Sequence, residues 1–143
     1  MKKNKIETAV AALAAYLECD EQDITLEKHD HYGLAVYSLG AKEYAVGTDD
    51  EADAACADNC KDSAWAFNPS FLAGLTELPE ECFKALQDKC EGSNDAVLRM
   101  IEKTCGLREF TEQAASADGR GHFLSGYDGN ENEESGFYIY RIN

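Results

Sequence analysis

Three short stretches of extended character, Ile24–His29, Leu34–Leu39 and Lys42–Val46, follow one another with only turn signals at Tyr32-Gly33 and Gly40-Ala41 between them. Connections this short exclude a parallel crossover, which needs a dozen or more residues, so neighbouring stretches must pair antiparallel. The alternation is clearest in Ile24 and Leu26 and again in Leu34 and Val36, with β-branched and aromatic residues enriched. A small antiparallel meander is therefore the constraint around which the rest of the chain has to be arranged.

The remaining segments are read from changes of period. Ile6, Ala9, Val10, Leu13, Tyr16 and Leu17 repeat at helical spacing and predict a first helix ending near Cys19-Asp20. After the third strand, Thr48-Asp49-Asp50-Glu51 forms a capping box, in which Thr48 accepts from the N–H three residues on while Glu51 reaches back. The helix it opens is expected to run to about Phe67, where Asn68-Pro69 starts a new helical turn. Shorter helices are expected at Pro79–Cys90, Asn94–Cys105 and Leu107–Ala117, with Gly92 and Gly106 as stops. Gly121–Tyr127 and Phe137–Ile142 then read as extended segments flanking Asp128-Gly129 and the acidic loop Asn130–Gly136, which predicts a terminal hairpin. Gly119-Arg120-Gly121-His122 reads as a turn. The expected fold is α+β in one globular domain over 1–143: an N-terminal helix, the meander, a central helical region and a C-terminal β-hairpin.

Charge narrows the partners. The chain carries 28 Asp and Glu against 13 Lys and Arg, a net charge of −15. A field of this sign repels nucleic acid and anionic membranes and attracts basic protein surfaces. No apolar run approaches the roughly 20 residues of a membrane span, and the basic start Met-Lys-Lys-Asn-Lys leads into an amphipathic pattern rather than a signal peptide, so a cytoplasmic protein is expected. Acid is concentrated between Glu18 and Asp62, where thirteen carboxylates face Lys28, Lys42 and Lys61, and again at Asp128, Glu131, Glu133 and Glu134. Projected at 100° per residue, Ala52, Cys56, Cys60, Ser63 and Phe67 share one face of the helix from Thr48, while Glu51, Asp58, Asp62 and Trp65 share the opposite one. The expected partner-binding set is therefore Asp49, Asp50, Glu51, Asp58, Asp62 and Trp65, with Asp128, Glu131, Glu133 and Glu134. The bland alternative is a solvated acidic face with Trp65 packed under another element.

Catalytic signatures are missing. There is no nucleophile elbow, phosphate-binding loop, dinucleotide fingerprint or His-Glu-x-x-His motif. Six cysteines sit mostly at positions expected to be helical and read as free thiols, with Cys56 and Cys60 on the apolar face. The chemical alternative is a metal-binding or enzymatic protein using His29, His31 and His122. His29 and His31 would share a strand face, and Asp30 or Asp118 would complete the ligands. No catalytic residue, cofactor or metal is otherwise expected.

The stretch Glu43–Asp53, running on to Ser63–Asn68, and the ending Gly119–Leu124, Tyr127-Asp128-Gly129 and Tyr138–Arg141 resemble small acidic proteins encoded by bacteriophages and prophages. The resemblance carries no activity; it implies a bacterial cytoplasm. Together with the charge it leads to the expectation of a non-enzymatic interaction protein. Such a protein would occupy a basic nucleic-acid-binding site on a host protein, as a counter-defence inhibitor of the anti-CRISPR or anti-restriction kind does. A phage structural or housekeeping component is the other reading.

Overall fold

The computed structural model describes residues 8–143. The basic start of the chain, with Ile6 of the expected first helix, lies outside the described residues. Helix α1 spans Ala9–Leu17, its first turn capped by the Thr8 hydroxyl, which accepts from the Ala11 N–H. The meander follows as β1 (Thr25–His31), β2 (Leu34–Leu39) and β3 (Lys42–Thr48). Tyr32 and Gly33 have φ of 52° and 90°, the two positive values that a type I′ hairpin turn requires. The chain continues through α2 (Asp49–Asp62), α3 (Pro69–Thr76), α4 (Glu80–Gln87), α5 (Asn94–Glu102), α6 (Leu107–Asp118) and α7 (Arg120–Leu124) to β4 (Asn132–Glu134) and β5 (Phe137–Arg141). This is an α+β fold with the four expected parts in the expected order.

The C-terminal hairpin differs in its first strand. Residues of the expected strand Gly121–Tyr127 instead form α7, and β5 pairs with β4 from within the stretch read as an acidic loop. The reason is the turn: Ser135 and Gly136 both take positive φ, 53° and 86°, so a tight I′ connection closes directly on Glu134.

The chain forms two compact units, one built from the chain up to Cys56 together with Asp118–Asn143, the other from Ala57–Ala117. In the first unit the five strands are antiparallel neighbours in the order β1-β2-β3-β5-β4. Alternation along the strands divides the sheet into two faces. One carries Tyr44, Val46 and Ile139, which pack with Leu13 and Ala14 of α1 and with Ile24. Leu13 is fully buried, and burying such a side chain contributes about 1.5–3 kcal/mol. The other face carries Leu34, Val36, Ala45 and Tyr140, all buried.

The start of α2 lies against that second face. The capping box forms as expected: the Thr48 N–H donates to Glu51 Oε1 at 2.9 Å and the Glu51 N–H to Thr48 Oγ1 at 3.3 Å. Glu51 can approach this closely because Gly47 has no side chain. A Cβ there would lie 2.5 Å from Leu34 Cδ2 and 3.2 Å from the Glu51 Cβ.

In the second unit α2 ends at Asp62, short of the expected Phe67, and Ala64–Ala66 form a 3₁₀ turn. Asn94 is the cause. Its Nδ2 donates to the Lys61 carbonyl at 2.8 Å and its Oδ1 accepts from the Trp65 N–H at 3.1 Å, so one side chain caps the helix and redirects the chain. Leu72, Phe83, Val97, Ile101, Phe110 and Ala114 are fully buried in this unit, and Phe67 meets Phe110 edge to face at 4.9 Å. Asn68 accepts from the Ser70 N–H and starts α3, with Pro69 in its first turn.

Gly47→Ala is expected to lower stability by about 1–3 kcal/mol, because the added methyl must displace the packed Leu34 side chain. A fall in the urea midpoint at constant slope measures it. An unchanged midpoint would show that Leu34 yields without strain.

Candidate functional site

The first unit holds most of the acid. Among its described residues, sixteen Asp and Glu face four cations, Lys28, Lys42, Arg120 and Arg141. One of these cations organises the cluster. Arg120 opens α7 between two glycines, each with a distinct role. Gly119 takes φ 85°, a value most residues avoid, and Gly121 presses α7 against the following loop. A Cβ on Gly121 would lie 2.6 Å from the Gly129 carbonyl oxygen and 2.8 Å from Glu131 N.

Placed there, the guanidinium reaches across the fold. Nη1 donates to Asp49 Oδ1 at 2.8 Å, to the Asp49 carbonyl at 3.1 Å and to Asp53 Oδ1 at 3.0 Å, while Nε donates to Glu131 Oε1 at 2.7 Å. The guanidinium carbon stands 4.6 Å from the centre of the Tyr138 ring, a cation–π contact. Tyr140, fully buried, donates its hydroxyl to the same Glu131 oxygen. The Arg120 side chain is only 13% exposed, whereas those of Asp49 and Asp53 are 63% and 66% exposed. Burial works against its charge, yet the hydrogen bonds to Glu131 and Asp49 outweigh that and hold the group protonated beyond the ordinary arginine range. For Tyr140, burial first and the bond to Glu131 second raise the phenol well above its usual value.

The two acidic stretches thus meet at Asp49, Asp53 and Glu131. The other expected residues are distributed among local tasks. Glu51 closes the capping box, and Asp58 pairs with Lys61 at 3.3 Å. Asp128 accepts from the Asn130 N–H and the Ser125 hydroxyl, which hold it below the ordinary carboxylate range. Glu133 accepts from the Gly136 N–H and so stabilises the β4–β5 turn. Asp50 and Asp62 are exposed, Glu134 is half-buried in β4, and Trp65 is half-buried. The shared face drawn through Glu51, Asp58, Asp62 and Trp65 does not hold, because Trp65 lies beyond the end of α2 in the 3₁₀ turn.

The histidines take separate partners. His29 Nε2 lies 3.3 Å from Glu43 Oε2, and His31 Nε2 donates to the Leu124 carbonyl at 2.9 Å. His122 is exposed on α7, edge-on to Phe123. Among the described residues, the only three His, Cys, Asp or Glu side chains close enough to share an ion are Asp49, Asp50 and Asp53, within 4.8 Å of one another. Two of these, Asp49 and Asp53, are already hydrogen-bonded to Arg120. No helix among the described residues is long and apolar enough to cross a membrane. The chain matches no protein-family model, no curated protein and no solved structure.

Arg120 is the residue that sequence reasoning missed. Two glycines around an arginine signal a turn equally well, and its partners Asp49 and Asp53 lie 71 and 67 residues away in the chain.

Arg120→Met is expected to cost about 2 kcal/mol, the scale of charge-assisted hydrogen bonds lost beside carboxylates that water can still solvate. Arg120→Lys should recover only part of it, since an ammonium lacks the planar fork that serves Asp49, Asp53 and Glu131 together. Urea unfolding of the two variants tests this, and equal stability of Met and wild type would remove Arg120 as the organiser.

Alkali should act through the tyrosines. Burial raises Tyr37 and Tyr44 as well as Tyr140. A raised phenol keeps its proton in the folded state and loses it in the unfolded state. Stability is therefore full below about pH 10 and falls as pH rises above it. The urea midpoint should hold from about pH 8 to about pH 10 and drop as pH rises further. A flat profile would contradict the assignment.

Proposed function

We propose that this protein is a non-enzymatic binding module that docks onto a basic surface of another protein through the carboxylates at the start of α2 and in the 128–134 loop. What supports the reading is the Arg120 arrangement: one guanidinium fixes Asp49, Asp53 and Glu131, with Asp50 beside them, so that negative charge in excess of the arginine is presented in an ordered patch. Ordered charges lose little side-chain entropy on binding and favour fast, correctly oriented encounter. The net charge of −15 adds long-range attraction toward a basic partner.

In its narrower form, the partner is a nucleic-acid-binding protein of a bacterial host and the carboxylates occupy its phosphate-binding site. We propose the counter-defence role from the net charge taken together with the resemblance to phage-encoded proteins, and the mimicry from carboxylates gathered as a site built for phosphates would meet them.

Immobilised protein should retain its partner from a bacterial lysate at about 50 mM salt and release most of it by about 200 mM. Asp50→Lys, which alters an exposed carboxylate outside the Arg120 contacts, should reduce retention roughly three- to tenfold. Retention indifferent to both salt and this substitution would overturn the reading.

A further inference from the structure

We infer that Asp118-Gly119 is a site of spontaneous covalent modification, where aspartate converts to isoaspartate through a cyclic imide and loosens the Arg120 network beside it. The reaction needs only water. The Gly119 backbone nitrogen attacks the Asp118 side-chain carboxyl carbon; an N–C bond closes a succinimide ring, and the amide proton leaves with the carboxyl hydroxyl as water. A second water then opens the ring at either carbonyl. One opening restores aspartate, while the other breaks the original peptide link and routes the main chain through the side-chain carbon.

The sequence offers this chemistry twice, at Asp118-Gly119 and Asp128-Gly129. Glycine matters because no side chain shields the attacking nitrogen. The structure treats the two pairs oppositely. The Asp128 carboxylate accepts from the Ser125 hydroxyl at 2.8 Å and the Asn130 N–H at 3.0 Å, and the Gly129 N–H donates to the Ser125 carbonyl at 3.3 Å. This Asx turn fixes the side chain and keeps the carboxylate ionised, the poorer electrophile. Asp118 has no such restraint. Its side chain is exposed and, among the described residues, takes part in no hydrogen bond or ion pair. It ends α6 with no cation in the last turn, where the helix dipole gives a carboxylate no support.

Position gives the reaction its effect. Gly119 has φ 85° and ψ 151°, a backbone region essentially reserved for glycine, so the residue that makes Asp118 reactive is the one that turns the chain into α7. Isoaspartate adds one atom to the main chain at that turn, a lengthening of about 1.5 Å. Arg120, the next residue, holds Asp49, Asp53 and Glu131 through bonds of 2.8, 3.0 and 2.7 Å. A shift of that size breaks contacts of this length. The modified chain therefore loses part of the network that orders the carboxylates of α2.

The test ages the full chain in heavy-oxygen water at neutral pH and then digests it with trypsin in ordinary water. Cleavage after Arg108, Arg120 and Arg141 places Asp118 and Asp128 in separate peptides, 109–120 and 121–141, and fragmentation assigns the label to its residue. In the folded chain Asp118 should take up label severalfold faster than Asp128, and in urea the two rates should converge as the Asx turn is lost. Asp118→Glu, which would have to close a larger ring, should abolish label at that position and prevent the fall in urea midpoint that ageing brings to wild type. Label at Asp128 as fast as at Asp118 in the folded chain, or at Asp118 only in urea, would overturn the inference. A wild-type midpoint that holds while isoaspartate accumulates would overturn its link to Arg120.

Discussion

The ion network around Arg120 is the interaction on which the first unit depends. It joins the first turns of α2 to the short helix α7, 71 and 67 residues further along the chain, and to the chain entering β4. Its geometry is set by the backbone. Gly119 turns the chain at a φ of 85°, and Gly121 lets α7 lie directly on the backbone of residues 129–131. The arginine between them is carried to a position from which one planar fork serves two aspartates and a glutamate. A lysine in the same place would offer a point charge to three directions at once. The aromatic floor of Tyr138 and the Tyr140 hydroxyl on Glu131 complete the arrangement around the near-buried cation.

That arrangement changes the meaning of the net charge. A count of carboxylates treats each as surface, but several are engaged in holding the fold. Glu51 caps α2, Asp128 orders the turn after α7, and Glu133 supports the Ser135-Gly136 connection. Acid at these positions stabilises locally, at a helix N-terminus and in side-chain-to-backbone turns. A strongly acidic chain can thus fold despite self-repulsion, because part of its charge is placed where backbone N–H groups or a guanidinium await it. Much of this acid still faces water, but in fixed geometry rather than as free side chains.

The parts of the fold legible in the sequence are those made by neighbours. The capping box, the Tyr32-Gly33 turn and the Asn68-Pro69 start all work within four residues, and their residue types state the geometry they need. The parts that were not legible depend on distant partners. Nothing near Trp65 announces that Asn94 will take its N–H and end α2, and nothing near Arg120 announces Asp49. The short strand β4 was hidden for a different reason. Asn132-Glu133-Glu134 has no strand-like composition, and it is extended because it lies beside β5 and is closed by a two-residue turn. Of the candidate acids, the sequence revealed their abundance while the structure shows which of them are held by hydrogen bonds or ion pairs.

The division of labour between the two faces of the sheet also follows from the register. β3 and β5 alternate so that Tyr44 and Arg141 point to the α1 side while Tyr138 and Tyr140 point to the other, and a shift of one residue would exchange the two sets. Each arginine then rests on a tyrosine, Arg120 on Tyr138 and Arg141 on Tyr127. Their surroundings differ in consequence. Arg120 is ringed by carboxylates and nearly buried, so its charge is consumed inside the fold. Arg141 is half-buried and its Nε donates to the Asn143 carbonyl rather than to an acid, so the Tyr127 ring keeps its place at the surface with a cation stacked upon it. The same pairing of guanidinium and phenol ring, set on opposite faces by strand alternation, is therefore ringed by carboxylates on one side and open to water at Tyr127 on the other.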